Sequence, residues 1–199
     1  MRILFVCTGN TCRSPMAEGM MRKLARERGF DIEVKSAGVS AAKGMSISHH
    51  AGAVLKEQGI EDRILSTPLH AELVNWADLI LALTEGHKRQ MIMSFPDAAD
   101  KTYTLKEYAE NDPVVLVERE ELQRLAAEIE TDRALGREPE AAALRRLTEL
   151  VRRMPVYDIS DPFGGSREDY NRTAAEIRSA LEKLLERLMQ EHFGGKASE

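Results

Sequence analysis

The sequence predicts an α/β fold of three layers: a four-stranded parallel sheet between helices, with a helical hairpin inserted late in the chain. Three observations carry this. Short apolar runs such as Ile3-Leu4-Phe5-Val6 read as strands buried on both faces. These runs alternate with helical patterns, the order that builds a parallel sheet between helical layers. A polar loop, Cys7 to Ser14, stands where the first strand gives way to the first helix, at the carboxyl end of a strand, where such folds bind ligands.

The elements follow in order. After the first strand, Met16 to Leu24 reads as a helix, with Ser14 as its N-cap, Pro15 at its first position and Glu18 in its first turn. Ile32-Glu33-Val34-Lys35 alternates as a second strand and meets a turn at Ser36-Ala37-Gly38. Ser46-Ile47-Ser48 leads into a helix from His49 to Gln58, which Gly59 ends. The adjacent His49 and His50 face different directions on that helix and read as surface or capping residues. Pro68 to Trp76 forms a short helix and Leu79 to Leu83 a buried third strand. Thr84 caps a helix from Glu85 to Ser94, closed by Pro96, with Met91 and Met93 as packing residues. Thr102 to Leu105 is the fourth strand. Arg167 to Gln190 is the closing helix, with Ala174, Ile177, Ala180 or Leu181, Leu184, Leu185 and Leu188 as its core stripe, followed by a frayed tail over 194–199.

From about Asp112 to Pro155 the composition shifts to Glu and Arg around two apolar stripes. Leu122, Leu125, Ala126 and Ile129 form one; Ala143, Leu144, Leu147, Leu150, Val151 and Met154 form the other. This reads as two amphipathic helices hinged at Gly136, with Pro139 starting the second. The expected organisation is one domain over 1–199 with a helical insertion at about 113–155. The hairpin is a flap on its own stripe, a lid or a partner surface.

A chain of 199 residues can bury a sizeable core. A formal net charge of −5 argues against a general nucleic-acid binder. No apolar run is long enough for a bilayer, and the first is too short for a signal segment, so no membrane partner is expected. Two cysteines do not make a disulfide framework and point to a reducing, cytoplasmic setting. Five residues apart, without matching His or Cys pairs, they do not make a zinc site; no metal or cofactor is implied.

The chemistry gathers at Cys7-Thr8-Gly9-Asn10-Thr11-Cys12-Arg13-Ser14. A loop entering a helix N-terminus points several backbone N–H groups into one concavity, and Arg13 adds a planar charged fork. Together they suit a tetrahedral oxyanion. Gly9 lets the loop curl, and Asn10 tolerates a left-handed backbone. Groups that bind an anion also stabilise a thiolate, so Cys7 is placed to attack a bound phosphorus in line. Ser14 could donate to that sulfur. The competing reading is Cys7 as a small core residue. Phosphoryl transfer also needs a proton for the leaving group. Asp161, restricted by Pro162 and followed by two glycines, is the candidate, with Asp158 as fallback.

Val6 to Glu18, Ser36-Ala37-Gly38, Ser48-His49-His50-Ala51 and Asp161-Pro162-Phe163-Gly164-Gly165 resemble the low-molecular-weight protein tyrosine phosphatases, and more narrowly their bacterial protein-arginine phosphatase branch. The resemblance covers most of the chain outside the hairpin. It implies Cys7 as nucleophile, Arg13 as phosphate clamp and Asp161 as general acid. Thr8, Gly9, Asn10, Thr11, Cys12 and Ser14 form the phosphate loop, and Ser36 and Phe163 support it. Tyrosine-directed members carry an aliphatic residue at Thr11 and paired aromatics after Asp-Pro; here Phe163 is followed by Gly164. The resemblance therefore implies phosphoarginine on proteins as substrate, phosphotyrosine second. Arsenate reduction fails for want of a third cysteine, and a phospho-residue binding module without turnover would have lost Cys7 or Asp161. Cys7 and Cys12 are expected to form a reversible, redox-sensitive pair.

Overall fold

The computed structural model describes residues 1–194. Two compact units divide the chain, residues 1–109 with 157–199 in one and 110–156 in the other.

The first unit is built on four strands: β1 (Arg2–Cys7), β2 (Glu33–Gly38), β3 (Leu79–Ala82) and β4 (Thr102–Thr104). They lie in the order β2-β1-β3-β4, and every pairing is parallel. Among the described residues, six α-helices belong to this unit: α1 (Arg13–Glu27), α2 (His49–Glu57), α3 (Ala71–Trp76), α4 (Glu85–Ser94), α5 (Leu105–Tyr108) and α8 (Arg167–Gly194). Strand alternation sorts the core into two. Ile3, Phe5 and Cys7 of β1 face a cluster with Met16, Met20, Leu55, Ile177 and Leu181. Leu4 and Val6 face the other way, onto Ala37, Leu73, Ile80 and Met91. The sheet is thus covered on both faces, which is the expected three-layer arrangement. Full burial of a side chain like Phe5 contributes roughly 1.5–3 kcal/mol.

The residues expected on the stripe of α8 are buried, and both alternatives, Ala180 and Leu181, are among them. That helix runs four residues past the expected Gln190, to Gly194. The rest of the expected frayed tail lies outside the described residues. Ser36, Ala37 and Gly38 belong to β2 rather than to a turn, because β1 continues to pair with them as far as Cys7–Gly38. The helix expected from Pro68 begins only at Ala71, since Pro68 is still bridged to Gly38. Leu105 opens α5 instead of extending β4, with Thr104 and Glu107 forming a capping box. Met91 is buried, but Met93, two residues round the helix, is exposed to solvent instead of packing in the core.

The second unit is a helical hairpin, α6 (Pro113–Ala134) and α7 (Ala141–Arg153). Asp112 caps α6 through the N–H of Val114, with Pro113 at the first position. Gly136 takes a left-handed backbone just past α6, φ 70°, where it ends the helix. Pro139 precedes α7 by two residues instead of starting it; Glu140 is the cap. Leu125, Ile129 and Leu150 are the buried apolar residues of the pair. Arg146 bridges to Glu121 at 2.7 Å and Arg153 to Glu118 at 2.6 Å across it.

Candidate active site

β1 delivers Cys7 to the sheet's carboxyl edge, and the chain curls over five residues before α1 starts at Arg13. Asn10, not Gly9, takes the left-handed turn, at φ 52°. Its amide is held firmly. Oδ1 accepts from the backbone N–H of Thr67 at 2.7 Å, so Nδ2 is the donor, to Ser14 Oγ and Ser36 Oγ at 2.8 Å each. Ser36 in turn donates to the buried Glu18 carboxylate, which also pairs with Arg22. The Ser14 hydroxyl accepts from Asn10 and can give its one proton to Cys7 Sγ, 3.0 Å away, or to the carbonyl of Ala37 at the longer 3.5 Å. Burial pushes the Glu18 carboxyl above its ordinary range, against the opposing pull of Ser36 and Arg22.

This network corrects two expectations. Ser14 is not the N-cap: α1 begins one residue before it, with Cys12 at the cap position and no side-chain cap, because the Ser14 hydroxyl is committed to Cys7 and Asn10. Glu18 is not in the first turn near the dipole; it is buried one turn further on, tied to β2 through Ser36.

The loop rests on Gly38. A Cβ there would lie 2.5 Å from the carbonyl oxygen of Thr8 and 2.9 Å from the nitrogen of Asn10, so only glycine permits this approach. The backbone N–H of Ser48 donates to the carbonyl of Thr11 at 2.8 Å, pinning the loop's far side.

Above the loop lies a cavity of about 290 Å³ lined by Cys7, Thr8, Gly9, Thr11, Cys12, Arg13, Asp161 and Phe163. Cys7 and Arg13 are buried, 3% and 6% exposed. Asp161 is half exposed, and its Oδ2 accepts from Arg13 Nη2 at 2.8 Å. The other carboxylate oxygen accepts from the N–H of Phe163 at 3.1 Å. Behind Asp161 the chain is tied down: Ile159 N–H donates to Leu83 O at 2.8 Å, and the Ser160 hydroxyl to Glu176 at 2.8 Å. Beyond it, Pro162 O accepts from the N–H of Gly165, with Gly164 left-handed at φ 75°. Phe163 is 80% exposed at the rim, a single aromatic wall. Asp158 does not line the cavity; its carboxylate accepts from the N–H of Glu85 at the start of α4, at 2.7 Å.

Every residue expected at the site is therefore near it, with Asn10, Ser14 and Ser36 beneath the loop and the others at the cavity wall. Sequence reasoning missed four residues that build it. Glu18 and Thr67 orient the network under the loop. Tyr170 of α8 places its hydroxyl 3.2 Å from Cys12 Sγ, and burial raises its pKa above the ordinary tyrosine value. His87 of α4 lies 2.7 Å from Thr8 Oγ1. None has a local signature; of the four, only Glu18 adjoins the motif. Among the described residues no cluster of His, Cys, Asp and Glu could hold a metal ion, and no helix is long and apolar enough to cross a membrane.

A strand-loop-helix anion site with a thiol at its floor and an Asp-Pro loop over it defines a class. Residues 2–134 and 109–193 match the model of the low molecular weight phosphotyrosine protein phosphatase family, and the chain belongs to that family. Within it, the chain is 38% identical over 190 residues to a protein-arginine-phosphatase of Geobacillus stearothermophilus, covering 96% of this chain and 97% of the relative. It is 34% identical over 191 residues to a protein-arginine-phosphatase of Bacillus subtilis, covering 96% and 99%. Among solved structures, a YwlE arginine phosphatase mutant with a phosphorylated active-site serine superposes with a TM-score of 0.71, at 33% identity over 96% of this chain and 97% of that one.

Proposed function

We propose that this protein is a cysteine-dependent protein phosphatase that hydrolyses phosphoarginine on proteins through a phosphocysteine. The observation that carries the reading is one cavity holding a buried thiol, a buried guanidinium fork and a carboxylate at its mouth. Arg13 and the loop amides take the equatorial phosphoryl oxygens, and binding displaces Asp161 from Arg13. The Cys7 thiolate attacks phosphorus in line while the P–N bond to the arginine breaks. Asp161 gives its proton to the departing guanidino nitrogen. Water then attacks the phosphocysteine, Asp161 takes the water's proton, and the S–P bond breaks to return the thiolate and inorganic phosphate. The Ser14 proton stabilises the sulfur at both ends of this cycle.

Selectivity rests on Thr11 and the single wall. Thr11 and Asp161 can receive guanidinium N–H groups, while a phenol ring finds Phe163 on one side and Gly164 on the other. The likeness to the protein-arginine-phosphatases of Geobacillus stearothermophilus and Bacillus subtilis supports phosphoarginine. The exposed Phe163 ring favours phosphotyrosine as the second reading. A binding module without turnover is disfavoured because Cys7, Arg13 and Asp161 are all present.

Three further readings belong to the same proposal. Residues 1–199 form one phosphatase domain whose segment at about 113–155 is an insertion offering a partner surface; the compact unit over residues 110–156 supports the insertion. The enzyme works in the reducing cytoplasm, where both free cysteines persist. Under peroxide, Cys12, on the same cavity wall, captures oxidised Cys7 as a disulfide. Full thiol-driven recovery of a peroxide-treated Cys12→Ser variant would remove Cys12 from that role.

Acid quenching during turnover of a phosphoarginine protein tests the mechanism. It should trap phosphate on Cys7 in the parent and none in Cys7→Ala. Unimpaired turnover by Cys7→Ala would reject the phosphocysteine.

A further inference from the structure

Thr8, the residue after Cys7, is held from another element. His87 is buried in the first turn of α4, and hydroxyls face both its ring nitrogens. Nδ1 lies 2.8 Å from Thr84 Oγ1 and Nε2 lies 2.7 Å from Thr8 Oγ1. Thr84 Oγ1 also accepts the backbone N–H of His87 at 3.1 Å, as the cap of the helix. A hydroxyl carries one proton. A Thr84 hydroxyl that accepts the backbone N–H and gives its proton to Nδ1 uses both its roles, whereas accepting from Nδ1 as well would leave that proton unused, which favours a bare Nδ1. Nε2 then bears the ring hydrogen and donates it to Thr8 Oγ1. The proton of Thr8 is left free for whatever fills the cavity that Thr8 lines.

We propose that His87 is a positioning residue that orients the Thr8 hydroxyl as a hydrogen-bond donor to an anion in the cavity. The opposite tautomer would do the reverse: Thr8 would donate to Nε2 and have no proton for a ligand. The charged imidazolium is opposed by burial and by Arg13, against the pull of Asp161 and Asp158, so that His87 titrates at about 4. The neutral ring is thus the form present near neutrality. The reach across from α4 gives the loop a side-chain donor in the cavity that Asp161 also lines.

The proposal rests on reading this cavity as a phosphoryl site, but not on which phosphorylated residue enters it. The test uses nitrogen NMR of the parent protein and the binding of inorganic phosphate. The His87 signals should report Nε2–H and a bare Nδ1 from about pH 6 to 8. Thr8→Val should weaken phosphate by about tenfold, the scale of one hydrogen bond to a charged group, while Thr8→Ser should bind as the parent does. His87→Leu should weaken phosphate similarly and add nothing to Thr8→Val; His87→Gln, whose amide can donate, should recover part of the loss. A hydrogen on Nδ1 in the parent, phosphate binding by Thr8→Val equal to the parent, or additive losses in the double variant would overturn it. These readouts stand whether phosphoarginine or phosphotyrosine proves to be the substrate.

Discussion

At the scale of single residues, the site depends on hydroxyls and amides whose donor directions are fixed. Thr67 sets the Asn10 amide, Asn10 donates to Ser14, and Ser14 stands 3.0 Å from Cys7 Sγ, nearer than the Ala37 carbonyl at 3.5 Å. The sequence names the members of the loop but not these directions, because Thr67 and Glu18 act from other elements or another turn. Asp161 is the residue whose role is most exposed to test. Asp161→Asn should lower kcat by roughly 10²–10⁴, the range for losing a general acid. The loss should shrink with substrates whose leaving group departs without a proton, measured across a leaving-group series. An equal loss for every leaving group would mean that Asp161 acts in binding, through its bond to Arg13.

His87 makes a second prediction at this scale. Its pKa in the fold is about 4, against an ordinary 6.5. As the pH falls below about 6.5, the unfolded chain takes the proton before the folded one does. The stabilisation is therefore complete above 6.5 and is lost as the pH drops toward 4, by at most about 1.4 kcal/mol per pH unit. Denaturant unfolding of the parent and of His87→Gln across this window isolates the effect from other groups, including Glu18, whose raised pKa acts with the opposite sign. The difference in stability between the two should narrow as the pH falls; a constant difference would contradict a neutral, buried ring.

At the scale of elements, the close approach of β2 to the anion loop decides function more than stability. Gly38 closes β2 under Thr8 and Asn10, and its added methyl in Gly38→Ala would meet backbone on both. The loop must shift to admit it. Misplacing a catalytic loop by an ångström can cost on the order of 10²-fold in kcat/KM, with a much smaller change in Tm. An alanine variant with parental kcat/KM would show that the loop tolerates the shift. The elements themselves were largely readable: the buried runs of β1 and β3 and the stripe of α8 appear where their periodicity puts them. Boundaries were less so. Ser36-Ala37-Gly38 looks like a turn by composition, yet pairing with β1 keeps it in the sheet. Ser14 has a cap's chemistry, yet the thiol claims its hydroxyl.

At the scale of the whole molecule, the sequence separates a phosphatase framework from a charged helical hairpin expected at about 113–155, and residues 110–156 form a compact unit. Which phosphorylated residue enters the cavity is a different kind of question. It rests on Thr11 and on one missing wall beside Phe163, features of the site's rim and not of its fold. The direct measurement is kcat/KM on one peptide sequence carrying either phosphoarginine or phosphotyrosine, with Thr11→Ile run alongside. A site that meets the substrate with hydrogen bonds discriminates more sharply than an apolar one. The parent should therefore prefer phosphoarginine, and Thr11→Ile should lose more on phosphoarginine than it gains on phosphotyrosine. A parent whose kcat/KM on phosphotyrosine equals or exceeds that on phosphoarginine would contradict the assignment.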